Sequence, residues 1–147
     1  MIQKSLLLGC LCATWYMTGV IWFVQVVHYP LFDRVGAEEF RGYHPAHVAK
    51  TTPVVAPAMM IELATSLLLV FRRRGDSTDF ALACAGLALA IASWALTAFV
   101  SVPAHDRLAL GFDPATFRLL VRTNWFRSIS WSAHAIVIAA LTARAMK

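Results

Sequence analysis

Four long apolar runs divide this chain of 147 residues. Each run has about 18–23 residues, and about 20 apolar residues in a helix cross the ~30 Å hydrocarbon core of a membrane. Lipid offers exposed backbone groups no hydrogen-bond partner, so each run should form a helix. The sequence therefore predicts an all-α fold, a single integral membrane four-helix bundle with structured outer loops. We expect its helices at about residues 6–29, 53–71, 80–102 and 124–145.

The composition also favours a membrane protein. Hydrophobic residues make up 59% of the chain and charged residues 14%, whereas a soluble domain has about 25% charged residues. The formal net charge of +5 could suggest nucleic acid, but the basic residues flank apolar runs and form no single basic face. We therefore exclude nucleic acid and expect membrane lipid as a partner. The sequence does not set the oligomeric state, and a homo-oligomer is compatible with it.

The distribution of basic residues predicts the orientation. Lys4, the run Arg72-Arg73-Arg74, Arg144 and Lys147 lie in very short segments that would share one side of the membrane. Dense positive charge in short segments usually marks the cytoplasmic side. The prediction is a multi-pass protein of the inner (plasma) membrane with both termini in the cytoplasm. The two longer connections would then face outward.

Polar side chains recur at helical spacing inside the apolar runs, and residues three or four apart share a helix face. An ionisable group in hydrocarbon costs roughly 2.5–3.5 kcal/mol, so it usually faces the bundle interior and marks function. Glu62 and His134 lie roughly 15 Å below the outer boundary, at 1.5 Å per residue. We predict catalytic roles for Glu62, Arg127 and His134, with Arg127 holding an anionic oxygen or pairing with Glu62 or Asp106. The alternatives are that Glu62 and His134 tie helices together and that Arg127 anchors its helix near the membrane interface.

Four of the five histidines lie near the predicted outer end. Imidazole binds iron, copper and zinc, and the spacing of His44 and His47 can place two rings side by side on one helix. We predict a transition metal, or a haem held by two of the rings, with the identity of the cofactor left unknown. Solvated loop histidines and metal-free acid–base work are the alternatives. The predicted metal ligands are His28, His44, His47 and His105.

Three further residues are predicted to line a cofactor site. Gln25 and Asn124 can accept hydrogen bonds that fix the tautomers of metal-binding imidazoles. Trp94 lies on the polar stripe of the third run. A lipophilic substrate would pack against the indole rings of this region, namely Trp22, Trp94, Trp125 and Trp131.

Two local signals concern helix ends. Tyr29-Pro30 should end the first helix, because the residue before proline avoids the α region. Asp113 followed by Pro114 is typical of a helix N-cap with proline at the first helical position. The segment Ala115–Arg122 should then lie along the membrane interface or extend the fourth helix outward.

Two short motifs carry a family resemblance, Val27-His28-Tyr29-Pro30-Leu31-Phe32 and Thr123-Asn124-Trp125-Phe126-Arg127-Ser128. With Val102-Pro103-Ala104-His105 between them, the chain resembles small four-helix bacterial membrane proteins of the anthrone-oxygenase-like type. The resemblance implies oxygenase or oxidoreductase activity on a hydrophobic aromatic substrate, with His28 and Arg127 at matching positions. The other outer histidines and Glu62 are not assigned to that family. A looser similarity is to haem-binding four-helix membrane oxidases of porphyrinogen type.

Three functions are compatible with these features. The first is an integral membrane oxidoreductase or oxygenase-like protein, with an outward-facing histidine-rich pocket for a small lipophilic substrate. The second is a non-catalytic accessory or lipid- or quinone-binding subunit of a membrane complex. The third is a metal-handling or transport protein, which would need to oligomerise because the chain has no internal repeat.

Overall fold

The computed structural model describes residues 2–146. Its helices are α1 (Ile2–Phe23), α2 (Ala37–Arg72), α3 (Ser77–Leu96), α4 (Val102–Leu108) and α5 (Pro114–Ala145), and the described residues contain no strand. This confirms the predicted all-α four-helix bundle. Four helical stretches are long and apolar enough to cross a membrane. They are Lys4–Arg34, Ala37–Arg72, Ser77–Leu108 and Pro114–Ala145.

The helices extend further than the apolar runs predict. Helix α2 begins at Ala37 rather than near residue 53, and α5 begins at Pro114 rather than at residue 124. The apolar pattern marks only the part of a helix that lies in lipid, so polar turns beyond it leave no such signal. The segment Ala115–Arg122 extends the fourth helix.

The predicted N-cap of the fourth helix is present. Asp113 accepts hydrogen bonds from the backbone nitrogens of Ala115 at 3.4 Å and Thr116 at 2.8 Å. The hydroxyl and backbone N–H of Thr116 hold the pKa of Asp113 below its ordinary value of 3.8. The carboxylate therefore stays charged at neutral pH, and it favours the positive N-terminal end of the helix.

The prediction that Tyr29-Pro30 ends the first helix is wrong. Helix α1 continues through a π-helical turn at Val24–His28 and a 3-10 helix at Tyr29–Arg34. Pro30 lies in the first turn of the 3-10 helix, directly after the π turn, and the fixed φ of proline is compatible with helical backbone. Helix α3 likewise passes through a π turn at Thr97–Ser101 into α4. Such turns are rare and often occur at functional sites.

The four spans pack at the corners of a square, an arrangement that the sequence left open. Helix α1 packs on α2 and α5, and α3 packs on the same two helices. Helices α2 and α5 therefore lie diagonally opposite each other. At one end, Arg144 of α5 binds Asp79 of α3 at 2.6 Å and Asp76 of the preceding loop at 3.3 Å. We name this the terminal end, and the opposite end the histidine end.

Two apolar clusters form the core, one toward each end. At the histidine end, buried side chains including Met17, Phe32, Phe40 and Trp131 pack together. At the terminal end the cluster contains Leu7, Cys10, Leu69, Ala83, Ile138 and Leu141. Buried polar residues occur in and between these clusters, and they form the two sites described next.

Candidate functional site in the histidine end of the bundle

The four histidines of this end converge into one group, which we name the histidine cluster: His28, His44, His47 and His105. The Nε2 of His28 lies 2.8 Å from the Nδ1 of His47. The Nε2 of His44 lies 3.0 Å from the Nδ1 of His105. The ring centroids of His47 and His105 are 5.5 Å apart and join the two pairs. The sequence predicted that these residues share one end but not that they touch.

Local structure explains the convergence. His44 and His47 lie on one face of α2, and both are buried because that helix begins early enough to include them. His28 ends the π turn of the first stretch, and His105 lies in α4 just after the second π turn. The ring of Phe40 stacks on His44 at 5.4 Å between centroids. The cluster is thus held by three of the four spans.

Tyr29 extends the cluster into a chain of proton carriers. Its hydroxyl lies 2.8 Å from the Nε2 of His105, whose other nitrogen contacts His44. Either direction of donation through the chain is chemically consistent, because the hydroxyl and each imidazole can both donate and accept a hydrogen bond. If Tyr29 donates, His105 accepts at its Nε2 and donates from its Nδ1 to the Nε2 of His44, and the chain ends there because the Nδ1 of His44 has no partner. A proton can therefore move between the phenol oxygen and His44 by rearranging bonds alone.

A cavity of about 150 Å³ opens beside this chain. One side is polar and includes Tyr29, His47, His105, Asp106 and Arg127. Tryptophans were predicted as the apolar walls, but none lines the cavity, because Trp22 and Trp125 are exposed on the bundle surface. A cavity of roughly this volume accommodates a molecule such as benzene. Its apolar walls are instead aliphatic: Met17, Val20, Ile21, Val24, Val48, Val55 and Val102.

Arg127 is the most unusual residue of the cavity wall. It is buried, its Nη1 donates to Asn124 Oδ1 at 2.9 Å and to Ser101 Oγ at 3.2 Å, and its Nε has no partner. The predicted pairing with Glu62 or Asp106 does not occur, since no described carboxylate forms an ion pair with Arg127. A buried charge without a counter-ion is costly. An anion in the cavity would supply the missing counter-charge.

Gln25 and Asn124 support Arg127 and do not line the cavity. The Nδ2 of Asn124 donates to Gln25 Oε1 at 2.9 Å, and Gln25 Nε2 donates to the carbonyl of Val121 at 3.3 Å. The side chain of Asn124 thus has its amide nitrogen on Gln25 and its oxygen on Arg127. Trp94 lies elsewhere, with its indole nitrogen on the carbonyl of Met59 at 3.2 Å. The positions of Gln25 and Asn124 fit a role in orienting Arg127.

Glu62 and His134 form a second site near the centre of the bundle, across the diagonal between α2 and α5. The Nδ1 of His134 lies 2.8 Å from Glu62 Oε1, and Trp131 Nε1 donates to Glu62 Oε2 at 2.9 Å. Both side chains are fully buried. The Nε2 of His134 lies 3.4 Å from Ser66 Oγ, and Ser66 lies 3.4 Å from Cys10 Sγ. We name these five residues the inner network.

Trp131 separates the inner network from the cavity. One face of its indole lies against Arg127, with 5.2 Å from the guanidinium carbon to the ring centroid, while its N–H contacts Glu62. Indole nitrogen donates hydrogen bonds and cannot accept them. It therefore cannot pass a proton between Glu62 and the cavity. The three residues predicted as catalytic fall into two places, Arg127 at the cavity and Glu62 with His134 inside.

The donor atoms of the histidine cluster do not surround a common point. Within residues 2–146, no group of three His, Cys, Asp or Glu side chains is arranged to hold one metal ion. The nitrogens that could bind metal instead contact each other in pairs. The metal role of these histidines therefore stays a prediction.

Sequence reasoning missed two contributors to these sites. Thr51 lies 3.1 Å from the Nδ1 of His47, and Cys10 ends the inner network. The spacing of four residues between His47 and Thr51 is a usable signal, because such residues share a helix face. The place of Cys10 depends on which helices pack together, and the sequence carries no signal for that.

Comparison with known proteins adds no family to this picture: no family model, curated protein or solved structure matches the chain. The likeness to anthrone-oxygenase-like proteins accordingly stays an expectation from short motifs. Function is therefore argued from the geometry of the cavity and its polar wall.

Proposed function

We propose that this chain is an integral membrane enzyme that binds a small lipophilic molecule with an acidic hydroxyl or carboxyl group. Arg127 would hold the anionic oxygen, and the Tyr29–His105–His44 chain would accept or return a proton. The observation that carries the proposal is the buried guanidinium without a carboxylate partner on the wall of the cavity. Arginine suits this task because its planar fork matches an oxyanion.

The chemistry that fits this pocket is proton removal from a phenol or another acidic group. Tyr29 and His105 both line the cavity and contact each other at 2.8 Å. Deprotonation makes an aromatic substrate electron-rich, so that an acceptor such as dioxygen oxidises it more readily. This is the sense in which the site supports the oxidoreductase or oxygenase activity that the family resemblance implies. Glu62 and His134 would support the fold rather than take part in proton transfer at the cavity.

The proposal also includes the orientation of the protein in the plasma membrane. Dense basic segments at the terminal end favour the cytoplasm for both termini. The cavity would then lie in the outer half of the plasma membrane. A lipophilic substrate is available there from the lipid phase.

Ligand charge provides the first test. Benzoate and benzyl alcohol have the same ring and differ in whether the polar group is charged. We expect the purified protein in lipid nanodiscs to bind benzoate at least about tenfold more tightly, measured by equilibrium dialysis with empty nanodiscs as the blank. Equal affinity for the two probes would contradict a site for an anion and favour a non-catalytic accessory role.

A transition-metal centre is the second candidate function, favoured by four imidazoles in mutual contact. Three or four of these rings would have to turn toward one point to bind iron, copper or zinc. A haem does not suit the cavity, because a volume that accommodates a single benzene-sized ring cannot hold a porphyrin.

Metal analysis with an absorption spectrum decides this candidate. Wild type is compared with His47→Ala, since His47 contacts both His28 and the rest of the cluster. If the cluster is a metal centre, we expect one equivalent of metal in wild type and its loss in the variant. A folded, metal-free wild type that still binds benzoate would contradict the metal centre, and the metal-free enzyme would then be the remaining proposal.

A further inference from the structure

A lipid-facing groove lies between α1 and α2 and continues the cavity. Its volume is about 420 Å³, and its residues include Gly19, Phe23, Lys50 and Val54. The groove and the cavity share three wall residues, Val20, Val24 and Thr51. These side chains therefore lie between the interior cavity and the groove on the outside of the bundle.

The cavity alone is smaller than an ordinary ligand site. Small-molecule pockets usually have about 300–1,000 Å³, whereas this cavity has about 150 Å³. Groove and cavity together reach the usual range. A ligand that occupies both would place one polar ring or acid group inside and a longer apolar part outside.

The distribution of charged and polar groups also supports a path from the groove into the cavity. The groove is almost wholly apolar apart from His28, Lys50 and Thr51. Lys50 is exposed at its rim, and Arg127 lies on the wall of the cavity beyond it. Two positive charges along one path favour a negatively charged head group that moves from the lipid surface to the cavity.

We infer that the groove binds the apolar tail of a single-chain amphiphile whose acidic head occupies the cavity, and that Gly19 determines the tail that fits. The inference rests on the proposed function for its head group. A Cβ on Gly19 would have no heavy atom within 4 Å, so the glycine leaves open space in the groove. A larger side chain there fills the groove without disturbing the helix packing.

Two probes with one head group test the tail site separately from the head site. Benzoate occupies the cavity alone, and 4-octylbenzoate adds a tail. In nanodiscs, with affinities corrected for partition into lipid, we expect Gly19→Phe to weaken 4-octylbenzoate about tenfold by expelling methylenes. Binding of benzoate should stay within about twofold. Gly42→Phe is the matched control, since Gly42 has equally open space away from the groove.

A second variant tests the groove independently, in case Gly19→Phe does not fold. Val54→Trp narrows the groove from the α2 side and should give the same selective loss. Equal affinity of wild type and both variants for 4-octylbenzoate would overturn the inference, since bulk lipid would then fill the groove as well as the tail does. If Gly19 variants weaken 4-octylbenzoate while Arg127→Gln has no effect, the tail site stands and the proposed head site fails. If neither probe binds wild type, both fail.

Discussion

Replacing Glu62 by alanine is expected to lower the free energy of unfolding by about 3 kcal/mol. Breaking a buried charge pair costs roughly 3–5 kcal/mol, because it leaves the other partner uncompensated. A lone interhelical hydrogen bond in a membrane is worth only ~0.6 kcal/mol. Glu62 accepts from Trp131 and contacts His134 with both groups fully buried, so its loss leaves two donors unsatisfied. We therefore expect a loss near the lower end of the roughly 3–5 kcal/mol range for a broken buried charge pair.

The measurement is unfolding of the protein in mixed micelles of lipid and denaturing detergent. Glu38→Ala is the control, because Glu38 is an exposed acid on the same helix. Glu62→Gln should lose less, since an amide oxygen still accepts a hydrogen bond. A loss below ~0.6 kcal/mol in Glu62→Ala would mean that the inner network does not hold the bundle together. Benzoate should still bind Glu62→Gln, because Trp131 separates Glu62 from the cavity.

Replacing Arg127 by glutamine is expected to abolish most benzoate binding. Removing one partner of a buried, hydrogen-bonded charge pair costs about 2–5 kcal/mol, so affinity should fall at least about thirtyfold. Arg127→Lys should be intermediate, because lysine keeps the charge but not the planar fork. Arg122→Gln is the matched control, since Arg122 is exposed on the same helix and does not line the cavity.

Stability separates this role from a structural one. The guanidinium of Arg127 has no counter-ion and an unsatisfied Nε, so its removal relieves a buried charge. We expect the free energy of unfolding of Arg127→Gln to equal or exceed that of wild type while binding falls. This pattern is typical of residues kept for function. Loss of stability and binding together would indicate that Arg127 mainly supports the fold.

The sequence predicted the four spans because an apolar run long enough to cross the hydrocarbon core is typical of a membrane-spanning helix. The apolar pattern missed the start of α2 at Ala37, since polar turns outside lipid carry no apolar signal, whereas the Asp113-Pro114 cap indicated the start of α5. The π turn at Val24–His28 also has no signature in composition, although it places the ring of His28 against His47. Helix ends at the site were therefore the least predictable part of the fold.

The sequence predicted which polar residues face the interior of the bundle, but not which of them lie together. Polar stripes indicated that Asn124, Arg127 and His134 face the interior, and all three are buried. Stripes do not show which helices touch, so the separation of Arg127 from Glu62 by Trp131 could not be predicted. Tryptophans were predicted as the apolar surface for a lipophilic substrate, yet Trp22 and Trp125 pack edge to face on the bundle surface at 5.7 Å.

The central claim is that Arg127 holds an acid group in the cavity, and a direct measurement is solid-state NMR in lipid. Benzoate with a ¹³C carboxyl carbon is bound to protein with ¹⁵N-labelled arginine side chains, and the dipolar coupling between them is recorded. We predict a coupling that corresponds to about 4 Å, as in a hydrogen-bonded guanidinium–carboxylate pair. It should persist in Arg122→Gln and vanish in Arg127→Gln. No coupling in wild type with benzoate bound, or a coupling that survives in Arg127→Gln, would contradict the account.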